Sequence, residues 1–265
     1  GKLLERLAEI AAPFVEGRTA AIGLGRFGLG MDLGSVLARV DSALAGAEAE
    51  GIDAIREATP DGREAQPRTA RQWEQMIQRA LDNEWVRLTS FPVVDFSGLL
   101  THCECPLRLK FEEDGEWLPA GHFLPIAERL RLTSRLDLAA VRLGLRELAN
   151  HPELSGLAIN LSASSAADPV FRNELRALLA AEATHVSRLW LEIAESGALK
   201  HLPEFRALCI DLKSIGCRIG LEHFGHHFSQ IGQLHDLGLD FLKVDSSFVR
   251  GLDSNPGNTA FLKGL

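Results

Sequence analysis

The sequence predicts an α/β fold, a parallel (β/α)8 TIM-like barrel that is truncated or incompletely represented, preceded by a small α+β unit. Three observations carry this. Residues 70–265 alternate short apolar runs with helical stretches, the pattern of strands joined by returning helices. The runs are apolar almost throughout rather than alternating, as strands buried on both faces are. Finally, Glu104, Asn160, Glu192, Glu222 and Lys243 lie in or at the ends of the runs ECPLRL, GLAINL, RLWLEI, CRIGLE and LDFLKVD. The last four are spaced by about 20 to 30 residues, which is about one strand plus one helix. Polar groups at successive strand ends converge at one mouth of a parallel barrel, where chemistry is kept.

The elements follow in order. An amphipathic helix, LLERLAEIAAPF, opens the chain, and RTAAIGLGRFGLGMDLG reads as an extended or turning segment. A second helix, SVLARVDSALAGAEAEG, places Val36, Leu37, Val40, Leu44 and Ala47 on one face and stops at Gly51. Residues 58–69, ATPDGREAQPRT, have the proline, glycine and charge content of a linker. This divides the chain into 1–57, a linker at 58–69 and a barrel domain at 70–265. The first part is a thin core for an independent domain, which suggests that it is incomplete.

The barrel part starts with helix RQWEQMIQRALDN, then strands WVRLTSFPVV and LTHCECPLRLKF. One long helical region runs from Gly121 to about His151, with Pro125 near its first turn. Strand GLAINL, helix 168–183, strand RLWLEI, helix 203–215, strand CRIGLE, helix 228–237 and strand LDFLKVD follow, and NTAFLKGL reads as a helix. Six strands do not close an eight-stranded barrel.

Composition bounds the function. The 265 residues are 46% apolar and 24% charged with a formal charge of −8, an ordinary globular balance. That charge argues against a nucleic-acid polymer or an anionic membrane surface as partner, but leaves a small anionic ligand open. Cys103, Cys105, Cys209 and Cys217 lack C-x-x-C spacing and read as buried free thiols of a reducing, cytoplasmic setting. There is no run of about 18 apolar residues and no signal-peptide layout at the N-terminus. A mouth rich in carboxylates, with one amide and one lysine, suits divalent cations and a phosphate ester.

The motifs resemble the EAL domain family, barrels that bind and hydrolyse cyclic di-GMP. ECPLRL resembles the family's signature strand, AINLSA its VNLSA, LEIAES its LEITES, LEHFG its DDFG and LKVDSSFVRGL its LKIDRSFVRDL, and GHFLPIAERLRL follows its helix entry. IGLGRFGLGMDLGSVLARVDSALAGAEAEG resembles the end of a GGDEF domain, without the loop that would cyclise GTP, so 1–57 is read as a degenerate remnant with no diguanylate cyclase activity. The segment from Gly220 onward has the character of LapD-type receptors, a subgroup that pairs degenerate GGDEF and EAL domains. That resemblance implies a membrane-anchored parent with partner signalling domains, and a homodimer through the barrel. Nothing in the residues shows the homodimer independently.

The resemblance implies roles residue by residue. Glu104, Asn160, Glu192 and Glu222 take metal-ligand positions, joined by His223. Lys243 takes the catalytic lysine position and Glu104 shares the catalytic assignment. Arg108 matches the ligand arginine, Asp137 a nucleotide-contacting aspartate, and Asp245 and Phe91 belong to the same ligand site. Glu195 supports the neighbouring loop. If the site is active, Mg2+ or Mn2+ is the implied cofactor; otherwise there is none. The residues alone add one expectation: Arg108, four positions after Glu104 on one strand, shares its side under period-2 alternation.

The departures bear on activity. The family's paired aspartates stand here as Glu222 and His223, trading an oxygen ligand and a negative charge for an imidazole that suits Mg2+ poorly. The next loop reads HHFSQ rather than TGYSS, and Phe91 replaces a glutamine. Three readings stay open: a receptor that binds cyclic di-GMP with weak or no hydrolysis, an active metal-dependent phosphodiesterase, and an interaction module that has lost the nucleotide.

Overall fold

The computed structural model describes residues 22–26, 28, 36, 40, 43, 44, 47, 55–57, 69–250, 252 and 255–265. The expected opening helix and residues 58–68 of the linker lie outside the described residues, as does Leu37. In chain order the elements are β1 (Ile22–Leu24), β2 (Ile55–Glu57), α1 (Ala70–Asp82), β3 (Val86–Leu88), β4 (Phe91–Val94), β5 (Leu100–Glu104) and β6 (Leu107–Leu109). Next come β7 (Leu118–Pro119), α2 (Leu124–Arg129), α3 (Thr133–Asn150), β8 (Leu157–Asn160), α4 (Ala163–Ala166), α5 (Pro169–Ala181) and α6 (Ala183–Val186). Then follow β9 (Leu189–Ala194), α7 (Glu195–Lys200), α8 (Leu202–Ile215), β10 (Arg218–Phe224), β11 (Phe241–Val244), α9 (Ser246–Val249) and α10 (Pro256–Gly264). The chain forms two compact units, one from residues 1–84 and 110–132 and the other from 85–109 and 133–265.

In the first unit β1 and β2 pair in parallel. Val36, Val40, Ala43, Leu44 and Ala47 are helical, and Val36, Ala43 and Ala47 are buried, as the predicted stripe requires. The helix comes very close to β1: a Cβ on Gly23 would sit 2.5 Å from the Val40 carbonyl oxygen, so only glycine permits this approach. Helix α1 begins with a reciprocal cap between Thr69 and Gln72 and buries Ile77 and Ala80. Its Trp73 meets Phe111 edge to face at 5.5 Å.

In the second unit a six-stranded open sheet has the order β11-β10-β9-β8-β5-β4. All neighbours are parallel except β4, which runs antiparallel to β5 at one edge. This is an α/β barrel-type fold only partly closed, as the strand count required. Helices α3, α5 and α8 cover the sheet with Leu136, Leu145, Leu175, Leu179, Leu208 and Leu212, all buried. The apolar strand runs are buried accordingly: five of the six residues of β9 are buried.

Three predicted elements divide differently. WVRLTSFPVV is not one strand but β3 and β4, and LTHCECPLRLKF is β5 and β6; β3 pairs with β6 outside the six-stranded sheet. Pro106 stands at the second break, lacking the N–H that would carry the ladder onward. The long helix expected over 121–151 is interrupted, because Arg131 adopts φ +57° between α2 and α3. The expected helix 228–237 is only a 3-10 stretch over Phe228–Gln233.

Candidate active site at the strand ends

The inward face of the open sheet is built in layers. Directly opposed residues on neighbouring strands share a face, and the register places Glu104 beside Ala158, Ala158 beside Trp190, and Asn160 beside Glu192. Below the polar ends, His102 stacks on Trp190 at 4.2 Å and Trp190 meets Phe241 at 5.0 Å. Two glycines make room for these rings. A Cβ on Gly156 would lie 2.7 Å from Trp190 Nε1, and one on Gly220 would lie 2.4 Å from the Phe241 ring. The aromatic layer seals the base of the site, and the acidic row sits above it.

Lys243 is the centre of that row. Its Nζ donates to Glu192 Oε2 at 2.6 Å and lies 2.9 Å from Glu104 Oε1. Glu192 is wholly buried. Burial pushes its carboxyl pKa up, while the Lys243 ammonium opposes the shift. For Lys243, burial alone would lower the pKa, but the hydrogen bonds and charges of Glu192 and Glu104 prevail and hold it above the ordinary lysine value. The lysine is therefore a fixed ammonium, suited to offsetting charge on a phosphate and unsuited to acting as a base near neutrality.

A second pair adjoins the first. Asn160 Nδ2 donates to Glu222 Oε2 at 2.9 Å. His223, expected beside Glu222 as a metal ligand, has φ +53° and directs Nδ1 to Asp245 Oδ2 at 2.9 Å, leaving its Nε2 4.0 Å from Glu222. His226 Nε2 lies 3.4 Å from the other Asp245 oxygen. Asp245 also caps α9 through Ser247 N; hydrogen bonds from Ser247, then from His223, hold its carboxyl well below the usual range. Thus Asp245 organises the β10 and β11 loops. Glu195 does the same nearby: its buried Oε2 accepts from Gly225 N at 3.2 Å and His227 N at 3.1 Å.

The outer residues separate from this row. Arg108 does not share a strand with Glu104: β5 ends at Glu104 and Arg108 lies on β6, paired with Arg87 of β3. Period-2 alternation cannot be carried across the Pro106 break, so the same-strand expectation is corrected. Arg108 Nε donates to Thr89 Oγ1 at 3.3 Å. Asp137 is buried, and its Oδ2 accepts from Ser162 N at 2.8 Å, holding the turn that follows Asn160. Phe91 stands directly opposite Glu104 with its side chain half exposed. Sequence reasoning passed over His102 and Trp190, although their place two residues before Glu104 and Glu192 on the same strands was a usable signal.

A chemistry test of the implied divalent cation gives a divided answer. Glu104, Asn160, Glu192 and Glu222 offer the oxygen donors that Mg2+ and Mn2+ prefer, and the buried Glu192 Oε1 has no hydrogen-bond partner. Their donor chemistry suits a hard cation, but Glu104 and Glu192 are engaged by Lys243 and Glu222 by Asn160. His223 does not fit a second, being engaged with Asp245. Among the described residues, no three His, Cys, Asp or Glu side chains stand together as a metal-holding group.

Comparison with known proteins accords with this architecture. The family model described as EAL domain matches residues 74–265. The chain belongs to the EAL domain family. Its EAL domain is similar to the cyclic di-GMP phosphodiesterase PdeF of Escherichia coli, 31% identical over 182 residues, covering 68% of this chain and 24% of that protein. The cyclic di-GMP phosphodiesterase PdeA of Borreliella burgdorferi is 27% identical over 195 residues, 72% of this chain and 29% of its own length. The chain thus spans about a quarter to a third of these curated relatives. Among solved structures, the FimX EAL domain from Pseudomonas aeruginosa bound to c-di-GMP superposes with a TM-score of 0.63 at 28% identity, covering 72% of this chain and 78% of that one. Vibrio cholerae LapD S helix-GGDEF-EAL bound to c-di-GMP shares the fold, with a TM-score of 0.77 at 22% identity over 91% of this chain and 58% of that one. The relatedness is to phosphodiesterase-type domains rather than to cyclases. No helix among the described residues is long and apolar enough to cross a membrane.

Proposed function

We propose that this EAL domain binds cyclic di-GMP as a receptor with weak or no hydrolysis. The observation that carries the reading is the state of the Glu222–His223 pair: Glu222 is engaged by Asn160, and His223 is turned to Asp245. Two-metal hydrolysis of a phosphodiester needs oxygen ligands for both cations, and the second set is short of one carboxylate. The fixed Lys243 ammonium and the Arg108 guanidinium supply positive charge for phosphate oxygens. Asp137 and Glu195 act through the turns they hold, and Asp245 steadies the rim. Residues 1–57 are read as a GGDEF remnant in a LapD-like arrangement, with barrel dimerisation and membrane-anchored partner domains supplied by a longer parent.

A second reading is favoured by the orphaned Glu192 Oε1. If Glu104, Asn160, Glu192 and Glu222 hold Mg2+ or Mn2+, the cation would activate water and polarise the phosphoryl group, and the domain would be a phosphodiesterase. Calorimetric titration of the purified chain with cyclic di-GMP in Mg2+ buffer, with products followed chromatographically, separates the two. Saturating heats at fixed stoichiometry without linear dinucleotide support the receptor. Steady product formation, abolished by Glu192→Gln, overturns it, and a flat trace from folded protein leaves an interaction module.

A further inference from the structure

The ammonium of Lys243 stands where the acidic row calls for a cation. Its Nζ lies 2.6 Å from Glu192 Oε2 and 2.9 Å from Glu104 Oε1, so one charge bridges carboxylates from β9 and β5, strands that are not neighbours in the sheet. Strand β8, which separates them, contributes Ala158 beside Glu104 and Asn160 beside Glu192, and Asn160 is turned to Glu222. The lysine therefore answers both carboxylates by reaching across from β11. A hard divalent cation takes oxygen ligands of this kind at about 2.0–2.6 Å. Such an ion and the ammonium claim the same two oxygens, and both are positive, so they repel one another.

We propose that Lys243 is the built-in counter-ion of the acidic row and competes with a divalent cation for Glu104 and Glu192. The lysine is tethered to the same chain, so its concentration at the row is fixed, whereas an ion must be drawn from solution. The competition is nevertheless finite. Glu192 is wholly buried, and the lysine takes only its Oε2; Oε1 has no hydrogen-bond partner. A buried acceptor left unpaired destabilises the clamp, and an ion that engages both oxygens removes that penalty. The inference deepens the receptor reading by giving weak hydrolysis a cause. It is tested without dinucleotide, so that the two can fail separately.

The test is Mn2+ binding, by calorimetry, to the metal-free 265-residue chain and to its Lys243→Met, Lys243→Gln and Lys243→Arg variants, with folding checked by circular dichroism. Removing the ammonium should tighten Mn2+ binding by about 5- to 150-fold, the usual range of coupling between two ligands, in both neutral variants. Lys243→Gln keeps a donor for the buried Glu192 and decides the matter if the methionine variant does not fold. Lys243→Arg keeps the charge and should stay near wild type. Adding Glu192→Gln to either neutral variant should abolish the gain. Mn2+ should also restore resistance to urea in the neutral variants more than in wild type. A lysine that only packs would alter stability on replacement and leave Mn2+ affinity unmoved. Wild type that binds Mn2+ as tightly as the neutral variants overturns the inference, as does a gain that survives Glu192→Gln or an absence of binding in every variant. Steady hydrolysis of cyclic di-GMP by a wild type that Lys243→Met outbinds for Mn2+ would sink the receptor reading and leave the competition standing.

Discussion

Replacing Lys243 by methionine tests the central ion pair. The substitution keeps most of the unbranched stem, one atom shorter, and removes the charge that faces Glu192 at 2.6 Å and Glu104 at 2.9 Å. Glu104 is partly exposed and can be rehydrated, but Glu192 is wholly buried. Breaking a buried pair by removing one partner costs about 3–5 kcal/mol; because Lys243 itself is partly exposed, the lower end of about 3 kcal/mol is expected. In a chain of this size that lowers Tm by roughly 6–12 °C. The loss must depend on pH. Burial already raises the Glu192 carboxyl, and without the ammonium it rises further. A carboxyl whose folded pKa exceeds its unfolded value binds more protons when folded, so the variant is most stable below the ordinary glutamate range and loses stability as pH rises, by about 1.4 kcal/mol per unit until the folded pKa is passed. Urea denaturation of wild type and Lys243→Met from pH 5 to pH 8 measures this. The gap between the proteins should widen with pH, and Lys243→Met/Glu192→Gln should close most of it at pH 8. A gap that is constant across the range, or that narrows as pH rises, would refute the argument.

Two other outcomes are expected. The thiols of Cys105, Cys209 and Cys217 are raised by burial to about 11, 12 and 12, and all four cysteines are buried and free; a thiol-titrating dye at pH 8 should therefore label the native chain very slowly and count four thiols only after denaturation. Gly220→Ala places a Cβ against the Phe241 ring, and overpacking of this kind should cost about 1–3 kcal/mol in urea denaturation and disturb the near-ultraviolet signal of the Trp190 stack.

The strand runs were legible because parallel strands with both faces covered must be apolar throughout, and because each polar residue that ends one is paid for by chemistry or pairing. Glu104, Asn160, Glu192, Glu222 and Lys243 could thus be picked out as one row before any coordinates. The breaks within 85–111 were less visible, since two short strands joined by Thr89–Ser90 or by Cys105–Pro106 have the same apolar character as one long one. Pro106 was the available signal, and it separates Arg108 from the strand of Glu104.

What tertiary structure alone decided is who holds whom. Sequence spacing placed His223 next to Glu222, but the left-handed backbone at His223 turned its ring to Asp245, a residue of the following strand end. It placed Asp137 on a helix, but not against Ser162 N, a contact that depends on the packing of α3 beside the turn after β8. The sequence by itself determined the strands from residue 157 onward, the barrel-type alternation and the polar row, because those depend on local periodicity. The lysine clamp, the aromatic layer and the exposed ring of Phe91 depend on strand register, which no local pattern encodes.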